Sequence, residues 1–116
     1  MFKVKRVYEP VTPEDGARGL VDRLWPRGVS KTQAKLNPWL RDAAPSDALR
    51  KWFAHDARKW EVFRRRYQTE LKTKPEILDT LKGLEQKYRM VTLLFAASDP
   101  QHNNAIVLAG MLNTRR

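Results

Sequence analysis

Apolar and polar positions along the chain change period several times, and each change marks a different element. Val4-Lys5-Arg6-Val7-Tyr8 mixes apolar and basic side chains with the period of a half-buried strand, and Glu9-Pro10 ends it because Pro10 has no N–H to donate. The turn-forming Thr12-Pro13-Glu14-Asp15-Gly16 leads to a short second strand predicted over 19–24. That strand would place Leu20, Asp22 and Leu24 on one face and Val21 and Arg23 on the other. Trp25-Pro26-Arg27-Gly28 must stop it, since Pro26 holds Trp25 extended and Gly28 allows a sharp change of direction.

The period then becomes helical. Ser46 and Asp47 form a start signal ahead of Leu49, Trp52 and Phe53, in a helix predicted to finish near His55. Asp56 caps a second, in which Trp60, Phe63, Tyr67 and Leu71 recur at steps of three and four. Pro75 opens a third, with Ile77, Leu78, Leu81, Leu84 and Tyr88 on its apolar stripe. Residues 90–96 are an unbroken apolar run, short enough for a strand buried on both faces at the centre of a parallel sheet. A polar loop over 98–104 follows, and then an apolar helix over 105–112 with Asn103 or Asn104 as its cap. The fold class is therefore α/β: a single domain over 1–116, with a small, mainly parallel sheet of about three strands flanked by helices. The tail, Thr114 to Arg116, is expected to fray.

Composition narrows the chemistry. The 116 residues are 41% hydrophobic and 31% charged, the balance of an ordinary globular domain and not of a disordered or fibrous chain. With no cysteine, a disulfide framework, thiolate catalysis and Cys-ligated zinc are excluded. Two distant histidines and scattered acids offer no metal site, and no cofactor is expected without a glycine-rich phosphate loop, nucleophile elbow or dinucleotide fingerprint. The N-terminus lacks an apolar signal region, and no apolar run approaches the ~20 residues of a membrane helix, so a cytoplasmic protein without membrane association is expected. Lys and Arg number 23 against 13 acids, a formal charge of +10 that points to an anionic partner.

In an open α/β sheet, ligands bind beyond the carboxyl ends of the strands. Those ends are residues 23–28 and 98–104, so Arg23 and Arg27 are placed across a shallow cleft from the helix start at Asn103, an arrangement suited to phosphate or carboxylate. Ser46, Arg50 and His55 lie on a helix able to close that cleft. Competing structural readings exist for each. Arg23 is equally a partner for Asp22, Asp42 or Glu70, and His55 reads first as a helix-end residue. Trp52 and Trp60 belong to the core, leaving Trp25 and Trp39 as candidates for stacking on a base. Should the chain be an enzyme, His55 or His102 would be its general acid or base.

The segments Leu20-Val21-Asp22-Arg23-Leu24-Trp25-Pro26-Arg27-Gly28, Leu49-Arg50-Lys51-Trp52-Phe53-Ala54-His55-Asp56, Val91 to Ala96 and His102-Asn103-Asn104-Ala105, in that order, resemble the YeaO-like family of small bacterial proteins of unknown function. The resemblance covers nearly the whole chain and implies a cytoplasmic α/β domain. The family looks like one branch of a broader group whose longer members have a Val-Asp-Val-Arg strand where this chain has Val21-Asp22-Arg23. Those members often end with a Cys- and Glu-bearing strand and a Cys-His-Arg loop. This chain has Phe95, Ala97 and His102-Asn103-Asn104 there, so no thiol or carboxylate chemistry transfers.

Two functions are carried forward. The first is recognition of a small anionic ligand, such as a nucleotide, a phosphorylated metabolite or a nucleic-acid end, with Arg23, Arg27 and Arg50 binding the charge and Ser46, His102 and Asn103 orienting it. The second is sequence-tolerant nucleic-acid binding by a basic helical face carrying Arg64, Arg65 and Arg66. Nine basic against three acidic residues between Arg50 and Lys74 leave a surplus of six there. Oligomeric state has no signal in the sequence.

Overall fold

Three parallel strands carry the architecture: β1 (Phe2–Arg6), β2 (Ala17–Leu20) and β3 (Val91–Phe95), in the order β1-β3-β2. In this computed structural model residues 1–36 and 38–114 are described, apart from the side chain of Gln33. Val4 and Gly19 both lie opposite Leu93, one on each side of it. All five β3 residues are buried, as the unbroken apolar run requires of a strand covered on both faces.

The helices are a single turn, α1 (Lys31–Ala34), then α2 (Asp47–Phe53), α3 (Trp60–Lys72), α4 (Pro75–Tyr88) and α5 (Asn104–Thr114). Phe2, Ala17, Val21, Val91, Leu93 and Phe95 belong to one core with the apolar residues of α2 to α5. On the opposite face Val7, Leu20 and Leu94 are covered by Trp25, Val29, Leu36 and Trp39. Trp25 and Trp39 meet edge to face, with ring centres 5.4 Å apart. Their indole N–H groups donate to the carbonyls of Val29 (2.6 Å) and Asp22 (2.8 Å). Two supposed stacking candidates are thus packed on each other.

Both early strands differ from their predicted bounds for local reasons. β1 lies two residues earlier, because the Arg6 N–H bonds the Glu9 carboxylate (2.7 Å) and ends the ladder, although Val7 still donates to Phe95 (2.8 Å). β2 ends at Leu20, and Val21 adds one more ladder bond, to Leu94 (3.1 Å). At the next position the Ala96 N–H meets the side chain of Asp22 (2.8 Å), so the chain leaves the sheet. Gly16 makes the entry into β2. Its φ is +63°, and a Cβ there would sit 2.2 Å from the Met90 carbonyl oxygen.

Asp15 is buried on the loop side of the sheet, where Lys5 (3.0 Å), Lys3 (3.5 Å) and Arg18 (2.5 Å) surround it. Burial pushes this carboxyl up, but hydrogen bonds from Lys5, Thr12 and Arg18 outweigh it and hold Asp15 far below the usual carboxylate range. The caps read from the sequence are in place. Ser46 Oγ accepts from the Leu49 N–H (3.2 Å), Asp56 caps a 3₁₀ turn ahead of α3, and Asn103 accepts from the Ile106 N–H (3.0 Å). α5 continues through Thr114, where fraying was expected; Arg115 and Arg116 lie outside the described residues. Asn113 holds the outer edge of β1, accepting from the Phe2 N–H (3.1 Å) and donating to the Phe2 carbonyl (2.9 Å).

Candidate functional site

The carboxyl ends of the three strands open into a cleft of about 360 Å³. Because the strands are parallel, Tyr8 after β1, Asp22 to Arg27 after β2 and Ala96-Ala97 after β3 reach the same end of the sheet. The end of α2 and the start of α5 close the sides with Arg50, His55, His102 and Asn104. Pro45, Phe53 and Phe63 supply apolar wall.

Arg23 and Arg50 share one carboxylate, Asp47 Oδ1, at 3.4 and 3.3 Å. The Arg23 contact is made by its buried Nε, as an ion pair outside hydrogen-bond geometry, and the buried Nε of Arg50 has no hydrogen-bond acceptor among the described residues. A buried guanidinium nitrogen without a full hydrogen bond is costly, so both arginines are held on the cleft less than fully satisfied. Arg27 is exposed on the rim, and its carbonyl accepts from the Tyr8 hydroxyl (3.0 Å).

His55 follows α2 in an unusual backbone. Ala54 and His55 both have positive φ, +46° and +58°, a left-handed pair built without glycine. The reversal frees the imidazole from the helix and leaves it exposed on the cleft. His102 is held more tightly. Its Nδ1 is 2.8 Å from Asp99 Oδ2, and Trp60 packs edge-on to the ring at 5.2 Å. Hydrogen bonds from the Gln101 N–H, the His102 ring and the His102 N–H hold Asp99 below the usual carboxylate range. With the anion on Nδ1–H, neutral His102 presents Nε2 as an acceptor.

Asn103 lines the cleft but is buried, with its Oδ1 on Ile106 and its Nδ2 on the Asp99 carbonyl (3.0 Å). Ser46 is not brought to the cleft. Its N–H and Oγ–H both donate to Glu70, at 2.8 and 2.6 Å, which ties α2 to α3. Arg64 pairs with Glu61 (2.8 Å), Arg65 Nε donates to the Glu61 carbonyl (3.4 Å), and Arg66 stacks on Trp52 at 4.6 Å. These three stand on α3 and do not line the cleft.

Sequence reasoning gave no site role to Asp22 or Asn104. Asp22 stands on the cleft with Oδ2 accepting from Ala96 and Oδ1 accepting from Asn104 Nδ2 (3.2 Å). Burial pushes this carboxyl up, against the Ala96 and Asn104 hydrogen bonds and the His55 ring. Asn104 also donates to the Val21 carbonyl (2.7 Å). The available signal was an acid at the carboxyl end of a strand in a chain dominated by bases. Among the described residues no group of three or more His, Asp or Glu could hold a metal ion, and no helix is long and apolar enough to cross a membrane.

Over residues 1–116 the chain matches the family described as the inactive DUF488-N3 subclade. The protein YeaO of Escherichia coli K12, described as uncharacterized, is 40% identical over 113 residues, 97% of each chain. The uncharacterized proteins Rv3073c of Mycobacterium tuberculosis H37Rv and Mb3100c of Mycobacterium bovis are each 38% identical over 113 residues, 97% of this chain and 94% of theirs. No solved structure matches. A match spanning the chain from end to end, with relatives at this identity over nearly their full length, places it in the YeaO-like family, within the inactive DUF488-N3 subclade.

Proposed function

We propose that the protein binds a small ligand bearing a phosphate or carboxylate in the cleft at the strand ends. The observation that carries this reading is the convergence of three arginines, Arg23, Arg27 and Arg50, on one cleft, with Arg27 exposed on its rim. A guanidinium presents donors in a planar fork that suits an oxyanion. The apolar wall of Pro45, Phe53 and Phe63 suits a ligand with an uncharged body, and His102 Nε2 can orient a hydroxyl on it. Kinship with a subclade described as inactive favours binding without turnover. Arg23, Arg27 and Arg50 carry the charge recognition. Ser46 and Asn103 keep their capping roles and act on the ligand only by fixing α2 and α5.

Thermal shift with inorganic phosphate, pyrophosphate and nucleoside 5′-monophosphates tests this. A ligand at a hundred times its Kd stabilises by about 2.7 kcal/mol, enough to raise Tm by several degrees. The rise should disappear in Arg27→Ala and Arg50→Gln and survive in the Arg64/Arg65/Arg66→Ala triple variant. No rise with any of these anions, or one indifferent to Arg27 and Arg50, overturns the reading. Binding of mixed-sequence nucleic acid that is lost only in the triple variant would favour the basic helical face instead.

A further inference from the structure

We propose that the Asp22 carboxylate reads the uncharged end of the ligand, and that the ligand is a purine nucleotide whose base presents adjacent ring and exocyclic N–H donors, as guanine does. The inference rests on the anion-binding reading above and adds to it the identity of the body attached to the anion.

Asp22 is half-buried and lines the cleft, yet among the described residues no lysine or arginine is paired with it. The two arginines nearest in the lining, Arg23 and Arg50, are turned to Asp47. A carboxylate has about four acceptor sites, and the neutral donors Ala96 N–H and Asn104 Nδ2 occupy one on each oxygen. Each oxygen therefore keeps a free acceptor site. A half-buried carboxylate with no lysine or arginine beside it, and only the His55 ring of the same cleft acting on it, gains from further donors, and a cationic ligand group would be repelled by the neighbouring arginines. Two parallel N–H groups on a neutral planar ring meet both requirements, in the geometry by which carboxylates take a bidentate partner. Pro45, Phe53 and Phe63 in the lining give such a ring an apolar neighbourhood, and the arginines take its phosphate. A volume of about 360 Å³ falls within the range of small-ligand pockets, about 300–1,000 Å³.

Isothermal titration of the intact protein with guanosine, inosine and adenosine 5′-monophosphates decides the point. Inosine monophosphate lacks only the exocyclic amino group, and loss of one hydrogen bond to a charged acceptor should weaken binding about tenfold or more. Adenosine monophosphate, whose ring nitrogen carries no proton there, should bind more weakly still. In Asp22→Asn the preference for guanosine over inosine should vanish while affinity for pyrophosphate stays. Circular dichroism of the variant checks that it is folded, and the comparison of the three nucleotides on the unaltered protein stands without it. Equal affinity for the three nucleotides overturns this inference and leaves anion binding intact, with Asp22 a brace between β2, β3 and α5. Failure of all three to bind, with pyrophosphate also inert, overturns both.

Discussion

Asp22 has two loyalties, and they have opposite dependence on pH. Its hydrogen bonds to Ala96 and Asn104 fasten the exit of β2 to β3 and α5, while burial makes its ionised form costly. Since burial raises its pKa in the folded protein, the folded state holds this proton more tightly than the unfolded chain does. The contribution of Asp22 to stability therefore falls as pH climbs from the ordinary carboxyl range, about 4, through the raised value. Asp22→Asn cannot titrate. Urea denaturation of both proteins across that interval should show the unfolding free energy of the native protein, relative to the variant, declining with pH. A relative increase would mean that the hydrogen bonds and the His55 ring outweigh desolvation. Asp15 is the opposite case: its three cations keep it ionised far into acid, so its contribution is lost only as pH falls below the usual carboxylate range.

Among the elements, β1 is the one whose security depends on a side chain. It is an edge strand, and an edge with free N–H and C=O groups is a template for another chain. The Asn113 amide from α5 engages both main-chain groups of Phe2, and Glu9 engages the Arg6 N–H. Asn113→Ala should cost about 1–2 kcal/mol and increase self-association, which urea titration and light scattering against concentration would detect. A variant as stable and as monodisperse as the parent would show that α5 covers β1 without this amide. Such ties explain what could be read in advance. The starts of α2 and α5 were legible because Ser46 and Asn103 sit within a turn of the amides they cap, and that of α4 because Pro75 suits a first helical position. β3 was legible from its apolar run. The bounds of β1 and β2 and the role of Asp22 were not, since Glu9, Asn113 and Ala96 decide them, the last two across more than seventy residues. The packing of Trp25 on Trp39 was not legible either, because it brings residues from before and after α1 together over the sheet.

Over the whole molecule, the +10 charge divides between a helical surface and a few arginines that the parallel sheet gathers at one end. On the helical surface Arg64 pairs with Glu61 of α3 and Arg66 stacks on the neighbouring Trp52. The sheet order has a further effect, on the time course of folding. β1 and β2 do not pair with each other; each has its ladder with β3, the last of the three in chain order, and β2 adds only a bridge from Leu20 to Trp39 on its other side. Both early strands must wait, with some seventy residues of loop and helix between β2 and its partner, before either can close its ladder. Long-range closure of this kind slows folding and leaves strand edges open meanwhile. A fragment of residues 1–89 should therefore give the circular dichroism of scattered helix without a cooperative thermal transition, whereas a sharp transition would show that α2, α3 and α4 form a core by themselves. Because Ala96 and Ala97, which follow β3, also line the cleft, a nascent chain gains its fold and this cleft in the same step.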